Sequence, residues 1–144
     1  MVRKAEQQDS QMIAMLAVQL WPHHTEAEME ADIAPLLVQK DTAVFLALDG
    51  ENAVGFAQCG LRHDYVEGTD SSPVGYLEGI YVSESHRRRG YAKLLLAACE
   101  VWASSMGCRE FASDCELTNK ESLRFHLKVG FQEANRIICF TKKL

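Results

Sequence analysis

The sequence lacks the features of a membrane-spanning protein, an exported protein or a general nucleic-acid binder. Its most apolar window, residues 91–103, contains Lys93 and Glu100 and is far shorter than the ~20 residues that a membrane-spanning helix needs. Residues 1–8 are polar, so we expect no export signal. Fifteen basic against twenty acidic residues give a net charge of −5, which argues against nucleic acid and fits a cationic small substrate.

Patterned cysteines and metal-ligand motifs are also missing. The five cysteines are odd in number and include no C-x-x-C pair, so a disulfide framework or a cysteine-based zinc site is not expected. The five histidines show no H-E-x-x-H spacing, and we predict no metal. No linker or repeat interrupts the 144 residues, which suffice for one core. We predict a single domain over residues 1–144, located in a reducing cytoplasm.

Two common phosphate-binding motifs are absent, but a third arrangement is present. No two of the nine glycines are separated by one residue, as the Rossmann fingerprint requires, and no Gly-Lys-Ser/Thr marks a Walker A loop. Instead, the apolar segment 74–82 is followed by an arginine-glycine turn at 86–92, which opens a helical pattern. Such a turn directs consecutive backbone N–H groups at one point in front of a helix N-terminus. The sequence therefore predicts a phosphate-bearing ligand.

The apolar pattern predicts a mixed α/β fold in which helices flank a central sheet. The segment 63–73 is polar and is predicted to form a long loop. Asp49-Gly50 predicts an antiparallel hairpin, and Thr25-x-x-Glu28 has the form of a capping box. The predicted helices are 10–21, 25–35, 90–106 and 119–129, and the predicted strands are 42–48, 53–61, 74–82, 110–114 and 131–142.

Two segments resemble the coenzyme A-binding motifs of the GCN5-related N-acetyltransferase (GNAT) family. Arg87-x-x-Gly90-x-Ala92 matches the family's turn signature, and Asn119-x-x-Ser122 followed by His126 before Gly130-Phe131 has the order of its second segment. The resemblance implies the GNAT fold, a mostly antiparallel sheet around a strand-helix-strand core, and acetyl-CoA as co-substrate. It also implies cofactor contacts from Ile80, Tyr81, Val82, Arg87, Arg88, Arg89, Gly90, Tyr91, Ala92, Lys93 and Asn119. An arginine run beside a glycine also occurs at a solvated helix start, and a lone histidine on a helix is usually a structural residue.

Further segments along the chain are similar to those of the aminoglycoside 6'-N-acetyltransferases of this family. The matching segments include Leu20-Trp21-Pro22, Arg62-His-Asp-Tyr65, Leu77-Glu-Gly-Ile80 and Ala112-Ser-Asp114. The resemblance implies drug contacts from Trp21, His24, Tyr65, Glu78, Asp114 and Asn135.

The chemistry of the drug agrees with these residue types. An aminoglycoside is a hydroxyl-rich polycation, which carboxylates and an aromatic surface would bind. Close relatives tend to carry a glutamate where this chain has Asn135, so the substrate range stays open. Without the resemblance, composition alone favours solvated or capping carboxylates near strand ends for Glu78 and Asp114, and a core position for Trp21.

We expect direct attack of the amine on acetyl-CoA in a ternary complex. Glu78 is the predicted base, acting through water, with Asp114 positioning the amine and His126 protonating the thiolate. A backbone N–H near Tyr81 or Val82 would hold the oxyanion. The alternatives are an acetyltransferase of a polyamine, a metabolite or a protein N-terminus, and a non-catalytic acyl-CoA-binding sensor. The resemblance further implies aminoglycoside resistance and a homodimer with the C-terminal strand at its interface.

Overall fold

The protein folds around one five-stranded sheet, as described by a computed structural model of residues 1–144. The strand order is β1-β2-β3-β4-β5, antiparallel from β1 to β4 and parallel between β4 and β5. This confirms the predicted mixed α/β fold with a strand-helix-strand unit. The strands are β1 (Val2–Lys4), β2 (Thr42–Asp49), β3 (Asn52–Arg62), β4 (Val74–Val82) and β5 (Phe111–Ser113), and the helices are α1 (Ser10–Leu20), α2 (Glu26–Leu36), α3 (Tyr91–Ser105) and α4 (Lys120–Lys128).

Helices cover both faces of the sheet because β2 is apolar on both sides. Alternate residues of a strand point to opposite faces. Phe45 belongs to the buried cluster that includes Leu95 and Cys99 of α3. Its neighbour Leu46 belongs to the cluster that includes Ile13 of α1 and Ile33 of α2. We call these the α3 face and the α1/α2 face. None of the helices is long and apolar enough to cross a bilayer.

Local capping signals set the ends of the first two helices as predicted. The Thr25 side chain accepts a hydrogen bond from the Glu28 amide at 3.2 Å, which starts α2. Pro35 lies in the last turn, and the helix ends one residue later. Helix α1 ends at Leu20, just before Trp21-Pro22.

Two terminal segments differ from the prediction. The polar N-terminus forms β1, whose Val2 pairs with Ala47 of β2, although its composition does not indicate a strand. The strand predicted over 131–142 is wrong: the chain from residue 131 to Leu144 forms no helix or strand. A strand requires a hydrogen-bonded neighbour, and this segment pairs with none in the single chain. Its apolar side chains Ile138 and Phe140 are exposed.

Strands β4 and β5 diverge and leave an opening, which we call the fork. Pairing covers only Gly75–Leu77 of β4 and Phe111–Ser113 of β5. Strand β4 continues five residues further, to Val82, which is about 16 Å at ~3.3 Å per residue. The turn that follows leads into α3. The fork is therefore an open slot with a helix N-terminus near its far end.

Candidate active site

The turn before α3 has the backbone shape of an anion site. Gly90 precedes the helix with a left-handed φ of 86°, and Arg88 is also left-handed at 63°. No side chain caps α3. The N–H groups of its first turn therefore lack side-chain partners, at the end of the helix that attracts negative charge.

The arginines of this turn have different surroundings. Arg87 Nε donates to the Val82 carbonyl at 3.0 Å, which holds the turn against the end of β4. Arg89 lies 4.0 Å from the Asp49 carboxylate. Arg88 and Arg89 keep their charge at the surface, beside the first turn of α3.

Glu78 is positioned by a β-bulge in β4. Gln58 of β3 pairs with Gly79 and Cys59 with Leu77, so Glu78 is the extra residue. Its carboxylate is bound by Arg62 at the end of β3, where Nη2 lies 2.9 Å from Oε1 and 3.1 Å from Oε2. The predicted base is therefore already paired with an internal cation.

Arg62 and Tyr76 link Glu78 to Asp114. The guanidinium carbon of Arg62 lies 3.5 Å from the centroid of the Tyr76 ring, and the Tyr76 hydroxyl donates to Asp114. Burial of the ring, and next the hydrogen bond to Asp114, raise the pKa of Tyr76, so the phenol stays protonated. The structure thus brings the two predicted carboxylates into one network.

Neither Arg62 nor Tyr76 was predicted to contribute to the site. One signal was available, since Tyr76 and Glu78 are two residues apart on one strand. The antiparallel register also pairs Arg62 with Val74, at the beginning of the same strand.

Trp21 forms an aromatic wall beside Glu78. A Cβ atom at Gly79 would lie 2.6 Å from the Trp21 ring, so the indole packs directly on the strand backbone. The ring also meets Phe56 edge-on at 6.0 Å between centroids. His24 is exposed, three residues later, with Nδ1 3.2 Å from Glu28.

Tyr65 and Asn135 lie where the 63–73 loop meets the C-terminal segment. Asn135 donates to Glu67 at 3.2 Å, and Tyr65 is largely exposed. Neither residue hydrogen-bonds to Glu78 or Asp114. The hydrogen-bonded network therefore does not include them.

His126 lies at the fork, but both of its ring nitrogens have protein partners. Nδ1 lies 2.7 Å from the Ser122 carbonyl oxygen, and Nε2 lies 2.8 Å from Ser113 Oγ. Asn119 caps α4 by accepting from the Ser122 amide at 3.1 Å. Ser113 was not predicted from the sequence, because only the fold brings it to His126.

Comparison with known proteins gives consistent matches over nearly the whole chain. Residues 6–131 match the Acetyltransferase (GNAT) family. The chain is 45% identical to aminoglycoside N(6')-acetyltransferase type 1 of Salmonella typhimurium, over 89% of this chain and 88% of that one. The same enzyme of Klebsiella aerogenes is 42% identical, over 100% and 97%.

A solved structure gives the same result. AAC(6')-Iy in complex with the bisubstrate analogue CoA-S-monomethyl-acetylneamine superposes with a TM-score of 0.95. The two chains are 41% identical, over 100% of this chain and 98% of that one.

Proposed function

The chain belongs to the acetyltransferase (GNAT) family, and from that premise we propose that it transfers the acetyl group of acetyl-CoA to the 6'-amine of aminoglycosides. The observation that carries this proposal is the network at the fork, which links Glu78 to Asp114 through Arg62 and Tyr76, with the Trp21 ring packed on Gly79 next to Glu78. Two carboxylates and an aromatic face suit the ammonium groups and the sugar rings of such a drug.

The fork offers a path for acetyl-CoA. The turn at 87–90 and the first N–H groups of α3 would bind the pyrophosphate. Residues 80–82, beyond the last pair with β5, leave one strand edge open for the pantetheine arm. The thioester would then lie near Glu78, where the fork closes.

Glu78 and Asp114 supply the proton chemistry for the incoming amine. A primary ammonium has a pKa of about 10, so it must lose a proton before its nitrogen attacks the thioester carbon. Glu78 accepts that proton through water, and Asp114 orients the amine. The attack is direct, with no acyl-enzyme. A backbone N–H at Tyr81 or Val82 holds the oxyanion until the C–S bond breaks.

The native partner we propose is a second copy of the chain. The exposed side chains Ile138 and Phe140 belong to a C-terminal segment without strand pairing. A cavity of about 350 Å³ lies between β5 and the start of this segment, lined in part by Phe111 and Phe131. The C-terminal segment of a partner would fill this cavity and pair with the free edge of β5.

We place the enzyme in the cytoplasm. All five cysteines are free thiols, and Cys115 and Cys139 are exposed. Exposed thiols persist in a reducing compartment. We further propose a role in resistance, which expression in a susceptible bacterial host would test by raising the inhibitory concentration of kanamycin.

Thiol release from acetyl-CoA by the purified protein tests the reaction. Neamine and paromamine form a matched pair, because neamine carries a 6'-amine where paromamine carries a 6'-hydroxyl. Spermidine represents other amines. Turnover with neamine and none with paromamine is the expected result. Turnover with spermidine alone would instead assign a polyamine substrate, and acetyl-CoA binding without any turnover would indicate a sensor.

A further inference from the structure

The contact of His126 with the Ser122 carbonyl fixes a hydrogen on one ring nitrogen. A carbonyl oxygen only accepts hydrogen bonds, so Nδ1, at 2.7 Å from the Ser122 oxygen, carries a hydrogen. Nε2 is 2.8 Å from Ser113 Oγ. The ring also packs against Phe131, at 5.1 Å between centroids. Both ring nitrogens therefore have protein partners, and the Ser113 hydroxyl contacts both His126 and the Leu77 carbonyl oxygen, the latter at 3.4 Å.

Ser113 occupies the point at which the fork closes. It is the last β5 residue paired with β4, opposite Leu77. Leu77 belongs to the buried cluster on the α3 face, and paired residues of neighbouring strands point to the same face. Ser113 is therefore on the α3 face, together with α4 and His126.

The carboxylate network lies on the other face of the sheet. Tyr76 precedes Leu77 on β4 and packs in a separate small cluster with Val66 and Val74. Its hydroxyl contacts Asp114, the residue after Ser113. A thioester in the fork would thus have carboxylates on one side and the Ser113 hydroxyl on the other.

We propose, on the premise of the acetyl transfer above, that Ser113 gives the proton to the departing thiolate and that His126 supplies it. When the tetrahedral intermediate collapses, the C–S bond breaks and its electron pair goes to sulfur. The sulfur takes the Ser113 Oγ proton, and Oγ takes a proton from Nε2 of His126. The imidazole is left with its hydrogen on Nδ1, as the Ser122 contact requires, and solvent restores the Nε2 proton. Ser113 is the catalytic residue and His126 the positioning residue behind it.

Isosteric variants test the hydroxyl. S113T and S113V differ in a hydroxyl against a methyl. We expect S113V and H126A each to lower kcat for neamine about 100-fold. We expect S113T to stay within about threefold of wild type, with KM for neamine and Kd for CoA nearly unchanged in all three variants.

The double variant S113V/H126A distinguishes a relay from two separate effects. If Ser113 and His126 act in series, the double variant should have a kcat no lower than that of the slower single variant. The proposal is overturned if S113V keeps more than about half of the wild-type kcat, if S113T loses as much as S113V, or if the two losses multiply. It is also overturned if the S113V loss lies in KM or in CoA binding. Wild-type enzyme that releases no thiol with neamine would refute the acetyl transfer itself, a result distinct from these.

Discussion

At the scale of single residues, the two carboxylates of the active site have different partners. Glu78 is bound by the Arg62 guanidinium, whereas Asp114 accepts from the Tyr76 phenol. A substrate ammonium can replace a guanidinium on a carboxylate, because both are cations. The Tyr76 phenol donates a hydrogen bond to Asp114 but carries no opposite charge. One carboxylate therefore has a cationic partner, whereas the other has a neutral hydrogen-bond donor.

Removing the base should reduce turnover strongly. For Glu78→Gln we expect kcat/KM for neamine to fall by a factor on the order of 100 to 10,000, the usual contribution of a general base. Initial-rate measurements of thiol release check this. Glu51→Gln, a charge-matched control in the β2–β3 turn, should behave as wild type. Unchanged kcat/KM in Glu78→Gln would show that the base is another group.

Removing the internal cation should strengthen drug binding. The guanidinium of Arg62 repels an ammonium at Glu78 and must be displaced by it. Both side chains are partly exposed, so the effect is modest. For Arg62→Gln we expect KM for neamine to fall about fivefold, which corresponds to ~1 kcal/mol for a surface ion pair. Arg62→Lys keeps the charge and should retain the wild-type KM. A rise in KM for Arg62→Gln would mean that Arg62 holds the drug rather than competing with it.

At the scale of secondary structure elements, strand β4 has a bulge next to a close contact with the residue that follows α1. Glu78 is the bulged residue, and Gly79 admits the Trp21 ring against the backbone. One short stretch of strand thus positions both the predicted base and the aromatic wall.

A methyl group added at this contact should displace the Trp21 ring. In Gly79→Ala the new Cβ would lie 2.6 Å from Trp21, so we expect KM for neamine to rise and stability to fall by about 1–3 kcal/mol. Urea unfolding followed by Trp fluorescence measures the second effect. Gly60→Ala in β3, whose Cβ would be 3.4 Å from its nearest atom, is the matched control. Equal behaviour of the two variants would contradict the close contact.

Strand β1 is held by a buried carboxylate. Asp9 is only 5% exposed and accepts from Arg3 at 2.7 and 2.9 Å and from the Glu6 amide at 2.8 Å. For Asp9→Asn we expect a loss of about 1–3 kcal/mol in the free energy of unfolding, because charged hydrogen bonds of a buried group are broken.

The Asp9 contribution should also depend on pH. The hydrogen bonds from Arg3 hold the pKa of Asp9 below its usual range. A carboxyl group with a lowered pKa in the folded state stabilises the fold above its unfolded pKa of about 3.9 and loses that stabilisation as pH falls through the folded value. The difference in the free energy of unfolding between wild type and Asp9→Asn, measured with urea, should therefore shrink below about pH 4. The exposed control Asp32→Asn should show no such difference at any pH. A difference that stays constant down to acid pH would rule out the Arg3 contact as its source.

At the scale of the whole molecule, the C-terminal segment is the feature that a single chain leaves unexplained. Phe140 is 87% exposed and Ile138 79%. Exposed apolar side chains of this size in an unpaired segment mark an interaction surface. The free edge of β5 and the cavity beside Phe131 are the complementary features on the same chain.

Charged substitutions on the segment should separate the copies. Light scattering should give wild type twice the chain mass of 16.1 kDa, and Ile138→Asp or Phe140→Asp a single mass. Both side chains are exposed in one chain, so the monomer should keep its fold by circular dichroism. Lys143→Asp, an exposed polar position of the same segment, should leave the dimer intact. A wild-type mass of 16.1 kDa at every concentration would refute the dimer.

Local sequence patterns predict the four helices and the strands from β2 to β5, and two motifs identify the family. Capping at Thr25, the breaker at Pro35 and the strand 74–82 involve residues within a few positions of one another, so the local pattern contains the information. The arginine-glycine turn is equally local. Nothing local indicates β1, because a three-residue strand exists only through its partner β2.

The contacts among the candidate site residues depend on the tertiary structure. Arg62 reaches Glu78 because the β3–β4 register and its bulge set that distance, and Ser113 reaches His126 because α4 returns over the fork. The prediction of a strand over 131–142 was wrong for the same reason, since a strand depends on an edge elsewhere. Hydrogen bonds between residues distant in sequence depend on the relative placement of whole elements, and that placement results from packing the core rather than from any local pattern of residues.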